Sequence, residues 1–243
     1  MEKASGNYFI ILDSDVILPK QYLSEVKKAL DFNFTDAFGG PDAAHKSFTA
    51  LQKAINYSMT SILTTGGIRG KKQAIGKFQP RSFNLGMSKN AFLKTKGFSK
   101  MKTGEDIDLT FRLWKNSFET QLIEKAFVYH KRRSTIQQFF KQTYSFGTAR
   151  PILNKKYPKS AKPTYWFPSL FIIGVDVSII LAIFGYNLFL TLYLFYFLLI
   201  FIDSLVKNKN IYVAFLSMFT SLTQFLGYGL GFLESQFKAN KKA

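Results

Sequence analysis

Tyr8-Phe9-Ile10-Ile11-Leu12-Asp13-Ser14-Asp15-Val16 is the stretch on which the fold turns. Five apolar residues without alternation read as a strand covered on both faces, as in a parallel sheet between helices. The run stops at an Asp-x-Asp, so two carboxylates stand at the carboxyl end of the strand. That is the edge where open α/β sheets bind ligands. Two carboxylates at this spacing can hold a hard divalent cation, and such a cation can bridge diphosphate oxygens. An Asp-x-Asp also occurs as a helix cap or a solvated turn. The apolar strand before it and Pro19 after it, opening a helical pattern with Leu23, Val26 and Leu30, favour the ligand-binding reading.

The residues up to about 153 continue as alternating strands and helices. Asp36 to Gly40 reads as a short strand ending at Gly39-Gly40-Pro41, and Phe48 to Leu63 as an amphipathic helix. Gly66 to Gly76, with Arg69, Lys71 and Lys72, reads as a basic loop. Asn90 to Lys96 is a short helix closed by Gly97. Glu105 to Asn116 is a helix whose apolar stripe is Ile107, Phe111 and Trp114, continued by Phe118. Gln121 to Tyr129 reads as a strand, and Ser134 to Ser145 as a basic, aromatic helix suited to a membrane surface.

Gly104-Glu105-Asp106-Ile107-Asp108 is a second acidic cluster and opens the helix. Carboxylates there complement the helix dipole, and Asp108 stands four residues before Arg112, an ordinary exposed pair on a helix surface. A carboxylate fixed at a helix start also meets the needs of a general base for a sugar hydroxyl. His130 ends the apolar stretch before Lys131-Arg132-Arg133. It reads either as a strand-end histidine or as an imidazole ligand to a cation held by the aspartates.

Charge and hydropathy divide the chain. Lys and Arg number 33 against 15 Asp and Glu, a formal net charge of +18, and 47% of the residues are apolar. All but five of the basic residues precede Trp166, and Ala43 to Gly104 holds no Asp or Glu. Such a field draws phosphates or anionic headgroups. A soluble nucleic-acid binder does not account for the apolar residues after Trp166, so no nucleic acid is expected as a partner. Cysteine is absent, which excludes disulfide frameworks, cysteine zinc sites and thiol nucleophiles.

Phe167 to Gly185, Leu188 to Val206 and Ile211 to Leu233 are apolar runs of the length that spans a bilayer, about 20 residues. Trp166, Tyr186 and Tyr212 stand at interface positions. Gly227, Gly229 and Gly231 suit close helix packing. Asp176, in mid-span, is expected to face another helix or the preceding domain, or else to mark a lipid groove. The basic part is expected on the cytoplasmic side by the positive-inside rule, which the Lys238-Lys241-Lys242 tail opposes if the third run spans, so a re-entrant or interfacial third run stays open. Met1 to Asn7 is short and polar, unlike a secretory leader. The expected division is a catalytic domain over 1–153, a basic hinge over 154–165 and a membrane region over 166–243.

Leu12-Asp13-Ser14-Asp15-Val16 with Pro19 resembles the Asp-x-Asp segment of family 2 glycosyltransferases. Phe83-Asn84-Leu85-Gly86-Met87, then Phe92 and Gly97-Phe98, resembles their acceptor-side strand, helix and turn. Gly104-Glu105-Asp106-Ile107-Asp108-Leu109 with Arg112-Leu113 is similar to their Glu-Asp motif, and His130, Arg133, Gln142 and Gly147 to the segment that follows. The resemblance implies a GT-A fold, a Rossmann-like mixed sheet with flanking helices, followed here by transmembrane helices. It implies inverting transfer from a nucleotide-sugar donor to a lipid-linked or saccharide acceptor at the cytoplasmic membrane face, as in the making of cell-envelope polysaccharide. Asp106 would be the base, Asp13, Asp15, Arg133 and Gln142 would bind the donor, and Glu105 and Asn84 would lie on the acceptor side. A divalent metal (Mg or Mn) would be held by Asp15 and His130.

The Gln…Arg-Trp signature of processive synthases is absent, so a single transfer is expected. Only seven residues precede the strand carrying Asp13, so the chain is expected to be N-terminally truncated, without most of the nucleotide-binding portion. The competing reading is a catalytically inactive, membrane-anchored binding module or gene fragment. Three helices with one buried Asp make a poor transporter.

Overall fold

The computed structural model describes residue 1, residues 3–66 and residues 77–240. The basic loop expected over Gly66 to Gly76 lies outside them from residue 67, as do Lys241 and Lys242. In chain order the elements are β1 (Tyr8–Leu12), β2 (Val16–Ile17), α1 (Tyr22–Phe32), β3 (Ala37–Gly39), β4 (Asp42–Ala43), α2 (Ala50–Thr60), α3 (Ile62–Thr65), β5 (Asn84–Ser88), α4 (Lys89–Thr95), α5 (Glu105–Lys115), β6 (Thr120–Leu122), β7 (Val128–His130), α6 (Ile136–Lys156), α7 (Phe167–Ile183), α8 (Leu188–Asn208) and α9 (Ile211–Asn240). Two short 3-10 turns, Pro158–Ser160 and Pro163–Trp166, join α6 to α7.

The chain forms two compact units. The first comprises Met1–Phe48 and Thr60–Lys131, the second Thr49–Met59 and Arg132–Ala243. These boundaries differ from the expected division at 153, because α6 and most of α2 group with the membrane helices.

In the first unit a four-stranded mixed sheet has the order β1-β5-β3-β6, with β1 and β3 antiparallel to β5 and β6 parallel to β3. β1 is an edge strand with an antiparallel neighbour, where a parallel interior strand was expected. Its uniform apolarity has the anticipated cause all the same. Tyr8, Ile10 and Leu12 pack on a core with Tyr22 and Val26 of α1, while Ile11 packs on the opposite core with Ala91 of α4 and Leu109 and Leu113 of α5. A strand covered on both faces has no face left to be polar. At Gly86 of β5 a side chain would collide with the Phe38 ring, a Cβ lying 1.9 Å from it.

α5 buries Ile107, Leu109 and Leu113 rather than the stripe through Phe111 and Trp114. The region 121–129, expected as one strand, is two. A turn in which the Ala126 amide donates to the Ile123 carbonyl (3.0 Å) ends β6, and β7 then joins a second sheet, ordered β2-β7-β4.

The second unit holds three helices long and apolar enough to cross a membrane, over Pro163–Ile183, Leu188–Asn208 and Ile211–Lys238. The third run is one continuous helix, without the break a re-entrant segment needs. α6 runs past the expected end at Ser145, through Pro151, to Lys156. It packs closely on α9. A Cβ on Gly147 would lie 2.1 Å from the Tyr228 carbonyl, and one on Gly231 2.2 Å from that of Tyr144. α2 is tied to the same helices by hydroxyls, with Ser58 2.6 Å from Thr220 and Tyr57 donating to Asp203 at 2.7 Å. Asp203 also pairs with Lys207, so the one charge within the second apolar run is matched by a cation one turn on. Asp176 is exposed, which disfavours the first of its two expected placements, packing against another helix, and leaves the lipid-groove alternative.

Candidate active site

Four strand ends in the first unit meet at one place, and pairing register explains why. β1 ends opposite the start of β5, with Leu12 across from Asn84, and the Asp13 amide donates to the Phe83 carbonyl at 3.4 Å. In the second sheet Val16 of β2 pairs with His130 of β7, and the Lys131 amide donates to the Asp15 carbonyl at 3.0 Å. A side chain one residue before Val16 therefore stands beside the imidazole.

The His130 Nε2 lies 3.3 Å from Asp15 Oδ1 and 4.0 Å from Asp13 Oδ2. Its ring is braced by stacking on Phe83, the centroids 4.7 Å apart. One ligand atom from each of Asp13, Asp15 and His130 falls within 4.8 Å of the others. That spacing suits a shared divalent cation, whose bonds to nitrogen and oxygen run roughly 2.0–2.6 Å. Two carboxylates and one imidazole form a mixed donor set that fits Mn or Mg better than a soft metal. Both carboxylates are exposed and the imidazole is half-buried, which leaves one side open to a ligand.

The second acidic cluster approaches the first from α5. Gly104, in the left-handed conformation (φ 82°), turns the chain into the helix, and no side chain caps it. The Asp106 Oδ1 accepts from the Ile107 amide at 2.8 Å, and its Oδ2 lies 3.6 Å from Nη1 of Arg81. Arg81 comes from the turn before β5, where the Asn84 amide donates to the Arg81 carbonyl at 3.1 Å. Burial, and then the charges of Asp15 and Asp106, push the Asp13 carboxyl above its ordinary range. Glu105 is raised too, by burial first and by the charges of Asp106 and Asp13, against the opposing pull of its own backbone amide and of Arg81. Asp13, Asp106 and Glu105 therefore share one electrostatic site.

Asn84 is a correction. Expected on the acceptor side, it is fully buried, accepting from the Tyr22 hydroxyl at 2.6 Å and donating to the Ala126 carbonyl at 2.8 Å. Its amide is spent holding α1 and the chain before β7 against β5. Burial raises the Tyr22 phenol above its ordinary value, which suits a permanent donor. Asp108 is a second correction. It is fully buried rather than part of an exposed pair, and it accepts from Arg112 Nε at 2.9 Å.

Arg133 is exposed and Gln142 half-buried, both in the second unit, while the acidic cluster is built wholly within the first. Sequence reasoning missed Arg81. It stands in the long acid-free basic stretch, where one more cation carries no signal; Pro80 before it and the buried strand after it were the available hints.

Comparison with known proteins identifies the family. Over 149 residues the chain is 24% identical to the succinoglycan biosynthesis protein ExoA of Rhizobium meliloti (strain 1021), a stretch covering 60% of this chain and 44% of that protein. The chain thus spans less than half the length of the relative it matches. Residues 8–226 match the family described as glycosyl transferase family group 2, and the match takes in Asp13, Asp15, Arg81, Asp106 and His130. With most of its length matched, the chain belongs to that family.

Proposed function

We propose that the protein moves a sugar from a nucleotide diphosphate sugar to a hydroxyl of a lipid-linked or saccharide acceptor at the cytoplasmic membrane face, inverting the anomeric carbon. The observation that carries this reading is the convergence of Asp13, Asp15 and His130, with Asp106 coupled to Asp13 from the start of α5. Asp15 and His130 would hold a divalent cation, with Asp13 turned to the nucleotide. A cation at that place would offset the charge that develops on the departing diphosphate.

The remaining chemistry falls to the chain's own side chains. Oδ1 of Asp106 is occupied by the Ile107 amide, so Oδ2 is the oxygen left to take the acceptor proton. Arg81 fixes the direction of that carboxylate, and Glu105 lies on the acceptor side. As the acceptor oxygen bonds to the anomeric carbon, the bond from that carbon to the phosphate oxygen breaks. The proton passes to Asp106 and the nucleoside diphosphate leaves with the electron pair. Arg133 and Gln142 are assigned to the donor.

The test is sugar transfer in membranes containing the full chain, using a panel of radiolabelled nucleotide sugars and extracted membrane acceptors. Asp106→Asn should keep the wild-type melting temperature and lose transfer by ~10²–10⁴, the usual worth of general-base catalysis. Absence of transfer from every donor, or normal transfer by folded Asp106→Asn, would sink the proposal.

A further inference from the structure

Away from the acidic site, the first unit holds an open cleft of about 440 Å³ whose walls include Tyr8, Phe34, Asp36, Ser88, Lys89 and Asn90. That volume falls among those of small-molecule sites, ~300–1,000 Å³. Register places the cleft. Tyr8 pairs with Ser88 at one end of β1, and Leu12 pairs with Asn84 at the other, beside Asp13. At about 3.3 Å per residue, the strand sets the cleft roughly 16 Å from the acidic site.

One wall is aromatic. Tyr8 meets Phe34 edge to face, with centroids 6.1 Å apart, and is backed by the buried Phe38, stacked at 6.0 Å. The Tyr8 hydroxyl donates to the Thr35 carbonyl at 3.1 Å, which holds the ring in place. Phe34 keeps 62% of its exposure, so its ring is open to a ligand. The polar wall is Asp36. Its Oδ1 accepts from the Ser88 hydroxyl and its Oδ2 from the Glu119 amide, both at 3.4 Å. A carboxylate has about four acceptor positions, and two long bonds leave capacity for hydroxyl donors. Burial, and then the Asp36 charge, raise the Tyr8 phenol above its ordinary value, so carboxylate and ring stand side by side.

Rings beside a carboxylate also suit an organic cation. Lys89 in the same wall and the net charge of +18 oppose one, and Asp36 opposes an anion. A neutral pyranose meets neither penalty. Its C–H face packs on the negative face of a ring. Its adjacent hydroxyls donate to Asp36, and Lys89 and Asn90 offer donors to its oxygens. We propose that this cleft is a second saccharide-binding site, which holds a neutral sugar unit between Phe34 and Asp36. The site touches no reacting atom and does not rest on the transfer reading.

Saturation-transfer NMR on the full chain, in a polyoxyethylene detergent that itself contains no sugar, tests the proposal. The probes are maltotriose, cellotriose and laminaritriose, with tetramethylammonium as the competing cation. At least one trisaccharide should bind. Phe34→Ala should weaken that binding ~5–10-fold through loss of the ring. Asp36→Asn should weaken it ~10-fold or more through loss of charged hydrogen bonds. Phe32→Ala, at a ring 93% exposed and outside the cleft, and Asp106→Asn, in the acidic site, should leave it unchanged. Binding of none of the three sugars, tetramethylammonium bound in their place, or an equal loss in Phe32→Ala overturns the proposal. A loss in Asp106→Asn without one in Phe34→Ala puts the sugar at the acidic site and overturns it as well. If Asp36→Asn does not fold, Phe34→Ala decides alone.

Discussion

Asp106 and Asp108 stand two positions apart in the first turn of α5, and their surroundings assign them different work. The Asp106 side chain keeps 14% of its exposure beside Arg81, whereas Asp108 keeps none and is held by Arg112, itself bonded to the Thr95 carbonyl at the end of α4. One carboxylate is poised at the surface of the site; the other joins two helices. Asp108→Asn should therefore cost stability. It leaves the Arg112 guanidinium without its counter-charge, and breaking a buried pair costs 3–5 kcal/mol in general. Arg112 retains 22% exposure and some access to water, so we expect about 3 kcal/mol, read as a clear fall in melting temperature beside an unchanged Asp106→Asn. Equal melting temperatures for the two variants would return Asp108 to the surface. The sequence shows the four-residue spacing of Asp108 and Arg112 but not their depth. Depth depends on which side of α5 meets the sheet, and Leu109 and Leu113 compete for that side with Phe111 and Trp114.

At the scale of elements, backbone contact decides the packing of α6 against α9. Gly147, Gly227 and Gly231 let main chain meet main chain or a hydroxyl, and a side chain at any of them would intrude. Gly231→Ala places a methyl 2.2 Å from the Tyr144 carbonyl, which a helix in its interior cannot move aside cheaply. Overpacking of this kind costs typically 1–3 kcal/mol, so the variant should melt lower in detergent than wild type. Gly6→Ala, whose nearest neighbour would be 3.6 Å away, should not. An unchanged melt for Gly231→Ala would mean that the two helices sit further apart. The glycine spacing on α9 was legible in the sequence; its partner was not, because the basic, aromatic helix over Ser134 to Ser145 reads as one lying on a membrane surface, not as one packed on another helix. Pro151 removes one helical hydrogen bond, yet the helix continues, its buried face including Phe139, Gly147, Ala149 and Leu153. Where local signals were strong, as in β1 with its unbroken apolar run, the strand and its Asp-x-Asp end were readable. The 121–129 segment was not, since a turn at Ile123–Ala126 without Gly or Pro gives no warning.

For the whole molecule, the division into units changes what a truncation would do. The charge pattern and apolar runs suggest a basic domain that would be freed by cutting after Pro163. The second unit argues otherwise. Ile55 and Met59 of α2 bury with Phe139 of α6, Ser58 and Ala54 meet Thr220 of α9, and Gly147 lies against the backbone of Tyr228. Removing α7, α8 and α9 strips that face from two helices that remain. The full chain should stay with membranes through carbonate and high-salt washes, because three apolar helices are held by burial and not by charge, which salt would screen. A chain ending at Pro163 should also resist a clean release into solution. It should aggregate or sediment with membranes, with α2 and α6 presenting the apolar surface that α9 covers in the full chain. Sedimentation after each wash, with size-exclusion chromatography of the supernatant, measures both outcomes. A monodisperse soluble fragment ending at Pro163 would show that α2 and α6 do not depend on α9 for their cover.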